Sequence, residues 1–132
     1  MGTIFEKIVA REIPADIIYE DAKHLAFLDI APLEKGHTLI IPKKAYLTVM
    51  EMPETDFCEL MVVVHKLAKH FEKTLHCGIN ILNNSGEIAG QEVPHVHIHL
   101  VPRREEKSIY NKKAHVNYLP NEMEIYKNKL KL

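Results

Sequence analysis

Three histidines take alternate positions in GQEVPHVHIHLVPRR (Gly90 to Arg104): His95, His97 and His99, with Val96, Ile98, Leu100 and Val101 between and after them. The chain has nine histidines in all, so this spacing calls for a chemical reason. Three readings suit it. The first is a surface strand with polar residues outward. The second is a metal site, in which histidines two apart share one zinc. His95 and His99 are separated by roughly 13 Å of strand rise, so all three do not converge easily, although a pair together with His37 could. The third reading is chemistry at phosphorus. A neutral imidazole is a nucleophile near neutral pH, and a neighbouring imidazolium stabilises phosphate charge or protonates a leaving group. Close imidazoles also push each other's pKa values apart. The preceding loop, Asn84 to Gln91, offers small residues whose backbone amides could approach an anion. Phosphorus chemistry uses more of the sequence than its rivals.

The histidines need a strand to align them. On a strand they project to one side, while Val96, Ile98 and Leu100 project to the other and seek apolar partners. PADIIYED, HLAFLDIAP and GHTLIIPKK read as three short strands of an antiparallel meander, and INILNN and VPHVHIHLVP as two more. From Pro53 to about His76, Phe57, Leu60, Met61, Val64, Leu67, Ala68, Phe71 and Leu75 recur at helical steps, with Glu54 and Asp56 at the start. Gly78 is expected to end that helix. Asn121 should cap a short final helix, with Glu124 completing a capping box. The expected class is α+β: about five antiparallel strands, one long helix on one face and a short C-terminal helix. Among the remaining histidines, His24, His65, His70, His76 and His115 read as solvated surface residues.

The 132 residues suit a single domain, with a core over about 4–104 and an extension over about 107–132. Seventeen Lys and Arg balance 18 Asp and Glu, a formal charge of −1, so no nucleic-acid or membrane-surface partner is expected. The two cysteines, Cys58 and Cys77, lie far apart and suggest a reducing compartment. Glu6 interrupts the apolar N-terminal run, so no signal peptide is read and a cytoplasmic location is expected.

The block His95-Val96-His97-Ile98-His99-Leu100-Val101 matches the signature His-φ-His-φ-His-φ-φ, with φ hydrophobic. The chain thereby resembles the histidine triad (HIT) family. IFEKIVAREIPADIIYED, AFLDIAPLEKGHTLIIPKK and LNNSGEIAGQEVPHVHIHLVPR extend the likeness to its Hint-like branch over most of residues 4–104. The resemblance implies a HIT-like fold and a hydrolase acting at the α-phosphate of purine nucleotides. His97 would attack phosphorus to form a nucleotidyl-histidine intermediate, and water would release the nucleoside monophosphate. His99 would contact the phosphate and assist the leaving group, His95 would orient the central imidazole, and His37 would stand beside the triad. Asn84, Gly90 and Gln91 match the phosphate-side loop. Asp29 matches the residue that bonds the ribose hydroxyls, with Phe27 and Ile30 at the base. Phosphoramidase is the leading form implied, dinucleoside polyphosphate hydrolase the alternative, and a nucleotide-binding protein with little turnover a further one. A homodimer is also implied.

Two departures from the family pattern matter. Many bacterial members carry a Cys-x-x-Cys that helps to hold structural zinc, whereas Thr3 and Glu6 stand here, and Ala45-Tyr46 stand where a further histidine is common. No structural metal and no cofactor are therefore expected. Glu92 stands where Hint proteins often carry a serine near the leaving group, which leaves open an acid or a binder of basic leaving groups.

Overall fold

The computed structural model describes residues 2–104 and 115–132. The three N-terminal strands form where apolar residues alternate between turn residues: β1 (Ile17–Glu20), β2 (His24–Leu28) and β3 (Thr38–Pro42), each antiparallel to the next. β4 (Gly78–Leu82) and β5 (Ile98–Arg103) complete a five-stranded antiparallel sheet in the order β1-β2-β3-β5-β4. The histidine strand is thus the one inserted between the meander and its own predecessor.

Both faces of the central strands β2 and β3 are buried, and strand alternation sorts the residues between them. Ala26, Leu28, Ile40, Ile98 and Leu100 face the long helix α2 (Glu54–Leu75) and meet its buried Leu60, Val63, Val64, Leu67 and Phe71. Leu25, Phe27, Leu39 and Ile41 face the other way, into a second cluster closed by Phe5 and Ile8. Those two belong to a six-residue helix, α1 (Ile4–Val9), for which no element was anticipated from the sequence. Its start is a capping box: the Thr3 hydroxyl accepts the Glu6 N–H at 3.1 Å and Glu6 Oε1 accepts the Thr3 N–H at 3.0 Å.

Three expectations are corrected. The long helix ends before Gly78, because His76 takes the left-handed conformation (φ 50°) and donates its N–H to the Glu72 carbonyl. Asn121 precedes the last helix, α3 (Glu122–Leu130), but its side chain makes no capping bond, and Glu122 rather than Glu124 takes a local N–H, that of Leu119. His24 is buried, with Nδ1 3.0 Å from Asp21 Oδ1, because its strand lies inside the sheet rather than at an edge.

The described tail, residues 115–132, packs onto the domain. Leu130 is fully buried in the main core, and the Leu132 N–H donates to Ile18 O. Residues 105–114, the start of the expected extension, lie outside the described residues.

Phe71 is fully buried in the main core, whereas Lys69 on the same helix is exposed. Phe71→Ala should lower unfolding free energy by about 3–5 kcal/mol through lost transfer energy and a residual cavity. Lys69→Ala should change it by less than about 0.5 kcal/mol. Equilibrium urea denaturation of both variants checks the difference.

Candidate active site

The histidines enter the sheet later than expected. β5 pairs with β3 only from Ile98, so His95 and His97 precede the ladder. Pro94 has no N–H to offer a ladder, and the Pro42 carbonyl that ends β3 is taken by the imidazole of His95 (Nε2···O 2.8 Å) instead of by a backbone amide. Other bonds keep the segment extended. Val96 N–H donates to Tyr46 O at 2.8 Å, and Asn83 Nδ2 donates to His97 O at 3.1 Å. Alternation therefore survives: Val96 joins Ile98 and Leu100 in the core beneath α2. The imidazoles emerge on the α1 face, where Phe5 meets the rings of His95 and His97 edge-on at 5.8 and 5.1 Å.

The partners of these rings dictate where their protons sit. A carbonyl only accepts, so His95 carries its proton on Nε2 toward Pro42 O, and its Nδ1 takes the Thr3 hydroxyl at 3.3 Å. By the same logic His97 donates Nδ1–H to the His95 carbonyl at 2.7 Å, which leaves the lone pair on Nε2. His37 works in the opposite sense. The Leu33 N–H donates into its Nδ1 at 3.0 Å, so its proton is on Nε2, 2.9 Å from His99 Nδ1. His99 accepts there, and its own proton lies on Nε2. One imidazole thus presents a lone pair and its neighbour, 5.0 Å away ring to ring, presents an N–H.

Burial favours the neutral forms of His37, His95 and His97. It depresses the His37 pKa to about 4, opposed by the Asp29 carboxylate, whose Oδ2 lies 3.6 Å from His37 Nε2. Burial likewise lowers His97, against the opposing pull of its bond to the His95 carbonyl and of Asp29 and Glu92, and it lowers His95. The loop carrying His37 is braced from behind. Gly36 has φ 91°, and a side chain there would press on Leu130 and Pro102 at 3.2 Å. Its N–H donates to the Tyr118 hydroxyl at 2.7 Å. The tail thus props the site, a role no local pattern announces.

A cavity of about 250 Å³ opens over His97 and His99, lined in part by these two and by Asp29, Asn84, Gly90 and Glu92, with His37 at its wall. His95 is buried and does not line it. The other expected residues fall elsewhere. Phe27 is buried in the second cluster, stacked edge-on with Phe5 at 5.5 Å, and Ile30 stands 83% exposed. Gln91 does not line the cavity: its Oε1 accepts the Gly86 N–H and its Nε2 donates to the carbonyls of Leu47 and Val93, so it holds the loop's shape. His115, read from sequence as a solvated residue, lines the cavity. Sequence reasoning also missed Thr3, Phe5 and Asn83. The Thr-x-x-Glu cap was the one visible signal among these.

Neither candidate metal set fits. Thr3 and Glu6 offer no thiolate and are engaged with each other and with His95. Ligand atoms of Asp29, His37 and His99 do converge within 4.8 Å. A metal there would need the Nε2 lone pair of His37, however, while the Leu33 amide already occupies Nδ1. Ligating histidines instead donate their second ring N–H outward.

Comparison with known proteins agrees with the fold and the motif. The profile of the HIT domain matches residues 10–106. An uncharacterized HIT-like protein of Methanocaldococcus jannaschii is 51% identical over 102 residues, covering 77% of this chain and 79% of that protein. The adenosine 5′-monophosphoramidase of Saccharomyces cerevisiae is 43% identical over 105 residues, 80% of this chain and 65% of the yeast protein. A crystal structure of a Hit-like protein from Bartonella henselae superposes with a TM-score of 0.85 at 30% identity, covering 98% of this chain and 94% of the other.

The depressed His37 pKa carries a stability prediction. An unfolded histidine titrates near 6.5 and the folded one near 4, so between these values the unfolded chain binds a proton that the folded chain refuses. Stability must fall as pH drops through that window. Urea midpoints measured from pH 7 to 4.5 should decline, and His37→Asn should decline less steeply. Equal slopes in the two proteins would remove His37 from the account.

Proposed function

The chain belongs to the HIT family, and on that premise we propose that it is a nucleotide hydrolase of the phosphoramidase type, acting on purine nucleoside phosphoramidates. The observation that carries this reading is the forced pair of tautomers, a lone pair on His97 Nε2 beside the His99 N–H, both at the cavity. His97 Nε2 attacks the α-phosphorus. A phosphorus–nitrogen bond to His97 forms and the bond to the leaving nitrogen breaks. That nitrogen, protonated from solvent before departure, takes the electron pair and leaves as the neutral amine. The imidazolium so formed keeps Nδ1–H on the His95 carbonyl, which stabilises its charge. His99 donates to a phosphoryl oxygen and to the departing group, held in that orientation by His37. Water then cleaves the nucleotidyl-histidine bond and releases the nucleoside monophosphate.

The remaining roles follow from position. Asn84 and Gly90 contact the phosphate from the loop that Gln91 shapes. Asp29 already accepts the Ala31 N–H on Oδ1 and retains acceptor capacity for the ribose hydroxyls. The base lies against exposed Ile30, above Phe27 and Phe5. We also propose a homodimer formed through β4, an edge strand with its second side unpaired in the sheet and Ile81 47% exposed. No helix among the described residues is long and apolar enough to cross a membrane.

Nucleoside monophosphate release from adenosine 5′-phosphoramidate, with a dinucleoside polyphosphate in parallel, tests the reading. His97→Ala should lower kcat/KM by several orders of magnitude. An equally active variant would remove His97 as nucleophile.

The pH profile supplies a second check. Protonated His97 cannot attack, and burial holds its pKa below the ordinary 6.5. The acid limb of kcat/KM should therefore lie below that value, with activity lost only as pH falls further. An acid limb above 6.5 would contradict the neutral, buried nucleophile.

A further inference from the structure

Positive charge is not scarce in this chain, yet it avoids the triad. Lys23, Lys43 and Lys44 line a separate cavity at the far ends of β2 and β3. The cavity over His97, by contrast, is lined by two carboxylates, Asp29 and Glu92, and among the described residues by no lysine or arginine. Arg103 is near enough to disfavour charge on His37 but lies outside that lining. Among the described residues, a phosphoryl group bound here meets imidazoles, amides and the two acids.

The acids differ. Asp29 is tied into a turn by the Ala31 N–H and stands beside His37. Glu92 is exposed, and among the described residues its carboxylate has no hydrogen-bond or ion-pair partner. It follows the loop that ends at Gly90 and acts electrostatically on His97. Glu92 lines the same cavity as His97 and His99 and is exposed there, so a group departing from phosphorus toward solvent on that side passes its carboxylate. A leaving group carrying further phosphates would bring negative charge past Glu92, and no lysine or arginine among the described residues lines the cavity to receive it. One carrying an ammonium would be attracted.

We propose that Glu92 determines specificity, selecting phosphoramidates whose leaving amine bears a second, positively charged amine and discriminating against anionic leaving groups. This rests on the hydrolase reading above and narrows its substrate class to the amides of diamines and comparable cationic amines.

The test uses three adenosine 5′-phosphoramidates of matched length, made from ethylenediamine, propylamine and β-alanine, which present a cationic, a neutral and an anionic end. Assays near pH 8 keep His37 and His97, whose burial lowers their pKa values, neutral. The readout is the ratio of kcat/KM for the cationic over the anionic substrate. Wild type should show a ratio on the order of tenfold at low salt, shrinking at high salt. Glu92→Asp should keep most of it, Glu92→Gln should bring it near unity, and Glu92→Lys should invert it. A purely structural role for Glu92 would change all three substrates together and leave the ratio alone. A wild-type ratio within about twofold of unity, or an unchanged ratio in Glu92→Gln, overturns the proposal while the hydrolase reading stands. Failure of wild type to cleave any of the three rejects both.

Discussion

The arrangement depends on one hydrogen bond whose direction is fixed, from His37 Nε2 to His99 Nδ1 at 2.9 Å. Its direction is set one step earlier, where the Leu33 amide occupies the other nitrogen of His37. A backbone N–H cannot reverse, so the ring beyond it has one tautomer, and the next ring inherits the consequence. The same rule runs along the other branch, where the carbonyls of Pro42 and His95 orient His95 and His97. Both branches therefore end on fixed backbone groups, and two chemically identical side chains acquire opposite roles.

Burying both faces at the centre of the sheet is what makes such ordering durable. Beneath α2 the aliphatic residues of β5 are locked into the main core, so the histidines cannot slip to the other face. Above them, α1 brings Phe5 against His95 and His97 and the Thr3 hydroxyl onto His95. The same burial that fixes the rings also disfavours their charged forms. Packing and the neutral state of these rings are one physical effect here, and its expected cost is acid sensitivity of the fold.

The tail contributes in a related way. Val116 and Tyr118 bond the loop of Pro32 and Gly36, and Lys35 pairs with Glu122 at 2.8 Å. This loop carries His37, so the orientation of a ring at the candidate site is secured partly by residues some eighty positions later in the chain. A partly exposed ion pair of this kind adds little energy. Its value is positional.

By itself, the sequence determined which side chains share a face and which elements carry them. The alternation around His97 and the helical stripe from Phe57 to Leu75 need only the periods of strand and helix, because burial on one side enforces both. What it left open required distance. Whether His37 donates or accepts depends on Leu33 and His99, and the burial of His24 depends on its strand having neighbours on both sides. The late start of β5 turns on the Pro42 carbonyl choosing an imidazole over an amide. Gln91, expected at the phosphate, bonds instead to backbone that a turn brings around it. Each of these is settled by which donor meets which acceptor across the fold, and that pairing has no periodic trace in the order of residues.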